Sequence, residues 1–422
     1  MFLICKSVNE LIFIAIFVGL IEYTIMELLQ EKFYQKYQFT STKLVREFAN
    51  NIDWSNRLIG VKGSRGVGKT TMILQYIKLN YKPNHTVLYV SLDSLYFTQN
   101  TLYDLVDNFY KKGGQFLAID EVHKYANWAI EVKNIYDDMP NLKMVFTGSS
   151  LLHLNQSKAD LSRRAVMYEM PGLSFREFLF FEKGIHLPVY ELQDLLSNHV
   201  EVAMSVLENV KPLEYFSKYL DYGYFPFYLE NKNSFHQKLS ETVLTVLEVD
   251  VAQFAKIQTG NVVYLKKLLA IISNSVPFKP NMNSLSERTG ISLNTMKGYL
   301  KLLHDAELLQ LLYVTGKGIN SLNKPEKIYL GNTNLIYNQA GAKPNIGNIR
   351  ETFFFNQVKV KNKVKASASA DFLINESYTF EVGGKNKTKK QIKGLADAYV
   401  VKDDIEIGSG NTIPLWIFGL MY

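Results

Sequence analysis

Eight consecutive residues, Gly63-Ser64-Arg65-Gly66-Val67-Gly68-Lys69-Thr70, fit the spacing G-x-x-x-x-G-K-[ST] without a gap. Glycines at these positions let backbone N–H groups close around phosphates, a lysine sets a positive charge on the terminal phosphates, and a threonine hydroxyl can ligate Mg²⁺. A nucleotide-binding P-loop is expected here, with Gly63 through Thr71 as the phosphate cradle. Downstream, Phe116-Leu117-Ala118-Ile119 runs into Asp120-Glu121. Four apolar residues followed by two acids form the Walker B pattern. A buried strand would bring Asp120 to Mg²⁺ through water and stand Glu121 where it can polarise an attacking water.

Such chemistry needs elements to carry it. Leu58-Ile59-Gly60-Val61 is an apolar run of strand length before the loop, and Met72, Ile73, Tyr76 and Ile77 recur at helical spacing after it. Further strands are predicted over His85 to Leu92, Gln115 to Asp120, Leu142 to Thr147 and Val166 to Met170. In the additional-strand class of P-loop ATPases, the strand after Walker B inserts beside the P-loop strand and a polar residue at its tip senses the γ-phosphate. Thr147 or Ser149 can take that position; a plain Ser-rich turn is the alternative. Arg163 and Arg164 either reach a phosphate, in this chain or a neighbour's, or pair with surface acids. ATP is the expected nucleotide, because no guanine-reading NKxD-like strand end is present.

Composition bounds the rest. The 422 residues suffice for two to four domains, and 47% apolar content is ordinary for a globular chain. A net charge of +7 permits an acidic or nucleic-acid partner without requiring one. Cys5 is the single cysteine. That excludes a disulfide framework and a cysteine zinc site, and it fits a reducing cytoplasm. The apolar run Leu11 to Ile21 is short of the about 20 residues that cross a bilayer, so no stable membrane insertion is expected. Residues 1–25 read as an extension ahead of a second start at Met26, with an anchoring or docking helix as the alternative.

The second half is helical and aromatic from Gly172, with Leu173, Phe175, Phe178, Leu179, Phe180 and Phe181 clustered early. This reads as a helical lid. Ser284 to Ala306 reads as a helix-turn-helix through Thr289-Gly290-Ile291-Ser292. On its second helix Met296, Leu300 and Leu303 form a core stripe, leaving Asn294, Lys297, Lys301 and His304 opposite to meet DNA. Packing against protein is the competing reading. A hairpin over Leu308 to Val314 and Ile328 to Leu330 would be the wing.

These stretches resemble a known family. The P-loop, Leu117 to Lys124, Phe146-Thr147-Gly148-Ser149-Ser150, Leu161 to Ala165 and Gly172 to Phe178 are similar to prokaryotic AAA-like ATPases that carry a winged helix and a C-terminal nuclease-like domain. Tyr329 to Leu335 and Phe380 to Lys385 fit as well. The resemblance implies an α/β fold comprising a P-loop core (26–171), a helical lid (172–266), a winged helix (267–330) and a nuclease-like α/β domain (331–422). It further implies a PD-(D/E)xK core in which Glu351, Asp371 and Glu381 would hold Mg²⁺. The lysine of that pattern falls on Gly383, and Lys385 is its nearest substitute. Three outputs are open to a Mg²⁺-dependent ATPase of this build: an ATP-gated DNA-binding switch, an ATP-controlled nuclease, or a signalling or assembly scaffold. A homo-oligomer is compatible with each.

Overall fold

Runs of four to six apolar residues become strands here because each can bury both faces in a parallel sheet. The computed structural model describes residues 26–148, 161, 163–274, 279–314, 324–339 and 344–422. Chain packing divides them into two units: residues 26–63 with 69–148, 161 and 163–170, and residues 64–68 with 171–274, 279–314, 324–339 and 344–422.

The first unit opens with helix α1 (26–39). It then builds one sheet from β1 (Leu58–Lys62), β2 (Val87–Ser91), β3 (Phe116–Asp120), β4 (Lys143–Gly148) and β5 (Val166–Glu169). The order is β2-β3-β4-β1-β5 and every pairing is parallel. Strand β4 therefore lies between the loop-bearing β1 and the acid-tipped β3, with Phe146 in register with Gly60 on one side and Ile119 on the other. Parallel strands need crossovers, and α2 (Lys69–Asn80), α3 (Leu102–Lys111) and α4 (Trp128–Asp138) supply them. Leu105, Val106, Val132 and Ile135 from α3 and α4 pack with Leu88, Leu117 and Met144 in one core. Open parallel sheets of this kind take ligands at the carboxyl ends of the strands, where Lys62, Ser91, Asp120 and Gly148 end their strands.

The second unit is built around aromatic side chains. Helix α5 (Phe175–Lys183) starts at Ser174, whose hydroxyl accepts from the Glu177 N–H while the Glu177 carboxylate accepts from the Ser174 N–H. It is followed by α6 (Leu192–Leu207), α7 (Pro212–Lys218), α8 (Phe235–Thr245) and α9 (Val262–Ser273). Phe175 and Phe178 are fully buried and meet the Tyr219 ring edge-on at 5.6 Å. Tyr219 also meets Phe353 of a much later helix, so the expected lid and the expected C-terminal domain share a core. The predicted helix-turn-helix is α10 (Met282–Thr289) and α11 (Leu293–Asp305), separated by Gly290 at φ 74° and started by Ser292, which accepts from Thr295 N. Met296, Leu300 and Leu303 are buried as the spacing requires. An antiparallel ladder of β6 (Leu309–Leu312) and β7 (Lys327–Leu330) follows. The tip of that hairpin lies outside the described residues.

After α12 (Thr333–Gln339) and α13 (Ile346–Val358) comes a second five-stranded sheet, β8 (Val364–Ala366), β9 (Phe372–Ile374), β10 (Tyr378–Gly383), β11 (Ala398–Lys402) and β12 (Thr412–Pro414). Strands β8, β9 and β10 are antiparallel, and β10, β11 and β12 parallel. Among the described residues no helix is long and apolar enough to cross a membrane. The stretch 1–25 lies outside the described residues.

Candidate nucleotide site

Asp120 is the centre of the site. It ends a strand buried at every position, the residue is only 4% exposed, and its carboxylate gathers donors from separate elements. Thr70 Oγ1, on the first turn of α2, donates to Asp120 Oδ2 over 2.7 Å. Tyr89 of β2 donates its hydroxyl to the same oxygen at 2.7 Å. Thr147 of β4 donates to Oδ1, and the Glu121 backbone N–H reaches Oδ1 at 3.0 Å. A buried carboxylate needs such company, since an unpaired one would cost several kcal/mol, on the order of its desolvation. Burial first, and then the facing Asp120 charge, push the Tyr89 hydroxyl well above its ordinary pKa, so it serves as a donor. The Lys36 ammonium of α1 lies 4.8 Å above the Tyr89 ring and 3.4 Å from its hydroxyl.

The loop itself has the expected backbone. Gly66 (φ 89°) and Gly68 (φ 96°) occupy the left-handed region that glycine enters without strain. Lys69 is 6% exposed and donates to the Gly63 carbonyl at 2.8 Å, across the base of the loop. Val67 is fully buried and Thr71 is exposed. Arg65 lies 3.4 Å from the buried Asp250 within the second unit. Glu121 stands just past the strand at φ 52°, a left-handed value uncommon for a side chain of this kind, and His123 Nε2 lies 3.4 Å from its Oε2. Thr70 and Asp120 thus offer adjacent hard oxygens, the donor set Mg²⁺ accepts alongside phosphate oxygens.

Of the two residues expected at the tip of β4, Thr147 reaches the carboxylate; Ser149 lies outside the described residues. Of the two readings of the arginines, Arg164 takes the surface one. It grips Asp137 with two hydrogen bonds of 2.8 and 2.9 Å and holds that carboxyl below its usual range. Arg163 is exposed at φ 68°.

On α11, Asn294, Lys297 and Lys301 are exposed, with Lys301 paired to Asp305 at 3.0 Å. His304 departs from the expected face. Its Nδ1 lies 3.1 Å from the Leu309 carbonyl at the start of β6, and burial lowers its pKa, so it caps the hairpin and does not extend the exposed polar row.

In the C-terminal sheet, Glu351 and Asp371 do come together, but around a residue the spacing did not single out. Lys327 Nζ donates to Glu351 Oε2 at 2.9 Å and to Asp371 Oδ1 at 2.8 Å, and Tyr329 donates to Glu351 Oε2 at 2.7 Å. Glu381 pairs with Lys387. The lysine that reaches Glu381 is Lys387 and not the expected Lys385. Burial, and then the Asp371 charge, raise the Glu351 carboxyl above its ordinary pKa. Burial works to lower Lys327, and the two carboxylates outweigh it, leaving it raised. These residues do not fit a divalent ion, because an ammonium already lies between two of the three carboxylates.

The strand order of the first unit and the G-x-x-x-x-G-K-T sequence that follows β1 define a P-loop ATPase-type fold, and residues 55–179 match the family model described as an AAA domain. Residues 213–345 match a domain of unknown function, DUF8612. Among individual proteins, an uncharacterized protein of Methanocaldococcus jannaschii is 29% identical over 285 residues, covering 64% of this chain and 60% of that relative's length. The Walker-type ATPase of Pyrococcus abyssi is 14% identical over 67% of this chain and 91% of its own, at a TM-score of 0.38. AMPPCP-bound DnaA from Aquifex aeolicus is 14% identical over 63% of this chain and 93% of its own, at a TM-score of 0.27.

Proposed function

We propose that the chain is a Mg²⁺-dependent ATPase of the additional-strand P-loop class whose hydrolysis drives a conformational switch, read out by a DNA-binding winged helix. The observation that carries the ATPase reading is the convergence of Thr70, Thr147 and the Glu121 N–H on the Asp120 carboxylate at the sheet's carboxyl edge. Mg²⁺, when bound with the nucleotide, would neutralise charge developing between the β- and γ-phosphates. Thr70 would hold the ion directly and Asp120 through water. Lys69 leaves the Gly63 carbonyl for the phosphates, a short swing for a lysine side chain already buried beside the loop. Glu121 orients water in line with the γ-phosphate and, next to His123, is placed at a strand tip where a carboxylate can accept its proton. The inserted strand β4 is what supports assignment to the additional-strand class.

The DNA reading rests on the exposed row Asn294, Lys297 and Lys301 along the second helix of a helix-turn-helix, followed by a β-ladder in the position of a wing. Glu121→Gln tests the enzyme. It is expected to retain ATP affinity within a few-fold and to lose turnover by two orders of magnitude or more, about the loss of one general base. Unchanged turnover would remove Glu121 from the mechanism.

A further inference from the structure

The nuclease resemblance calls for a divalent cation among Glu351, Asp371 and Glu381, with a lysine at position 383. The second unit has the carboxylates in the right elements: Glu351 on α13, Asp371 at the mouth of β9 and Glu381 on β10. Asp371 is further fixed by the Val382 N–H, which donates to its Oδ2 at 3.0 Å. Two lysines have entered from elsewhere. Lys327 comes from β7, outside the sheet, and its ammonium bridges Glu351 and Asp371 while its side chain is 11% exposed. Lys387 comes from the loop after β10. A Cβ on Gly383 would stand only 2.7–2.9 Å from the Lys387 stem, so the stem occupies the room a side chain at 383 would need. Its ammonium pairs with Glu381, whose second carboxylate oxygen is buried without a hydrogen-bond partner. Among the described residues no group of three or more His, Cys, Asp or Glu side chains is arranged to hold a metal ion.

We propose that Lys327 is an internal cation that has replaced the divalent metal of a nuclease-type carboxylate centre. The centre thereby becomes a fixed tie between the β6–β7 ladder, α13 and the C-terminal sheet. An ammonium and a divalent ion compete for the same two carboxylates, and the ammonium is covalently delivered, so its effective concentration is not set by the solvent. Its ammonium directs hydrogen bonds to Glu351 and Asp371, and, being a donor only, it has no coordination site to lend to water. The same lysine that stabilises the centre therefore closes it to metal-dependent phosphodiester cleavage. Tyr329, two residues on and on the same face of β7, completes the occupation by donating to Glu351.

The test is Mn²⁺ titration of the full-length, nucleotide-free chain by calorimetry. Wild type and Asp371→Asn are expected to take up Mn²⁺ indistinguishably. Lys327→Met should gain one Mn²⁺ per chain, at least tenfold tighter than any wild-type uptake, and Lys327→Met/Asp371→Asn should lose it. Lys327→Arg keeps the charge and should gain nothing. Should Lys327→Met fold poorly, Lys327→Gln, which retains a donor, must show the same gain, and Mn²⁺ must raise its melting temperature while leaving the wild type unmoved. Wild-type uptake that Asp371→Asn abolishes would overturn the proposal. So would a folded Lys327→Met or Lys327→Gln that gains no ion.

Discussion

Tyr89→Phe probes one donor of the nucleotide site. The substitution keeps the ring, and with it the Lys36 ammonium 4.8 Å above, and deletes the hydroxyl, which donates to Asp120 Oδ2 at 2.7 Å and lies a longer 3.4 Å from Lys36 Nζ. A hydrogen bond to a charged acceptor contributes about 1.5–3 kcal/mol. Tyr89 is 4% exposed and Asp120 likewise, so water does not readily replace the lost donor and the upper half of that range is expected. At about 2–4 °C per kcal/mol for a body of this size, the transition of the first unit should fall by roughly 5–12 °C. The assay is thermal unfolding in the absence of nucleotide, followed by a double-mutant cycle with Asp120→Asn. An amide is a neutral acceptor worth about 0.5–1.5 kcal/mol to the same hydroxyl, so Tyr89→Phe should cost less in that background. A shift under about 1 °C, or an equal loss in both backgrounds, would refute the idea that Tyr89 is a working donor to the carboxylate.

Two other expectations follow from the second unit. Lys297→Glu/Lys301→Glu should abolish ATP-dependent duplex binding in a salt titration; lysines that contact phosphate also set its slope, at about one unit per contact, so unchanged affinity would reassign α11 to a protein partner. Burial holds the His304 pKa below its unfolded value, so the unfolded chain binds the extra proton first. The His304 contribution is then complete above about pH 6.5 and is lost as pH falls through that value toward the lower folded one. Urea midpoints at pH 7.5 and 5.5 should diverge more in wild type than in His304→Gln; equal divergence would sink the assignment.

What could be read from the sequence was local. The P-loop, the acid-tipped strand and the helix-turn-helix each write their geometry into a dozen adjacent residues, and β1, β3, β4, α2, α10 and α11 formed within a few positions of their expected ends. Contacts made across sequence distance were not legible. Tyr89 sits within the strand-like run His85 to Leu92, where nothing in the spacing sets its hydroxyl apart. The parallel pairing of β2 with β3 sets Tyr89 beside Ala118, two residues short of Asp120 on the neighbouring strand, and from there its hydroxyl reaches the carboxylate. Lys327 lies one residue ahead of the apolar stretch Ile328 to Leu330 and carries no motif of its own. The signal was the alternation Lys327, Ile328, Tyr329, Leu330, which puts both polar groups on one side of a strand and both apolar groups on the other. Lys387 in place of Lys385 turned on the conformation of a basic loop, where lysine-rich sequence has no periodicity to read. The π-helical turns at Tyr219–Gly223 and Val246–Val251 likewise leave no mark in spacing.

The grip on Asp120 is lopsided. Two of its side-chain donors, Tyr89 and Thr147, are rooted in the sheet, whereas Thr70 hangs from the first turn of a helix. Any ligand that recruits the threonine breaks the tether on one side alone, and the aspartate stays moored by the other two. In the proposed ATPase, a nucleotide would recruit the threonine while the two strands keep the acid aimed before its cargo lands.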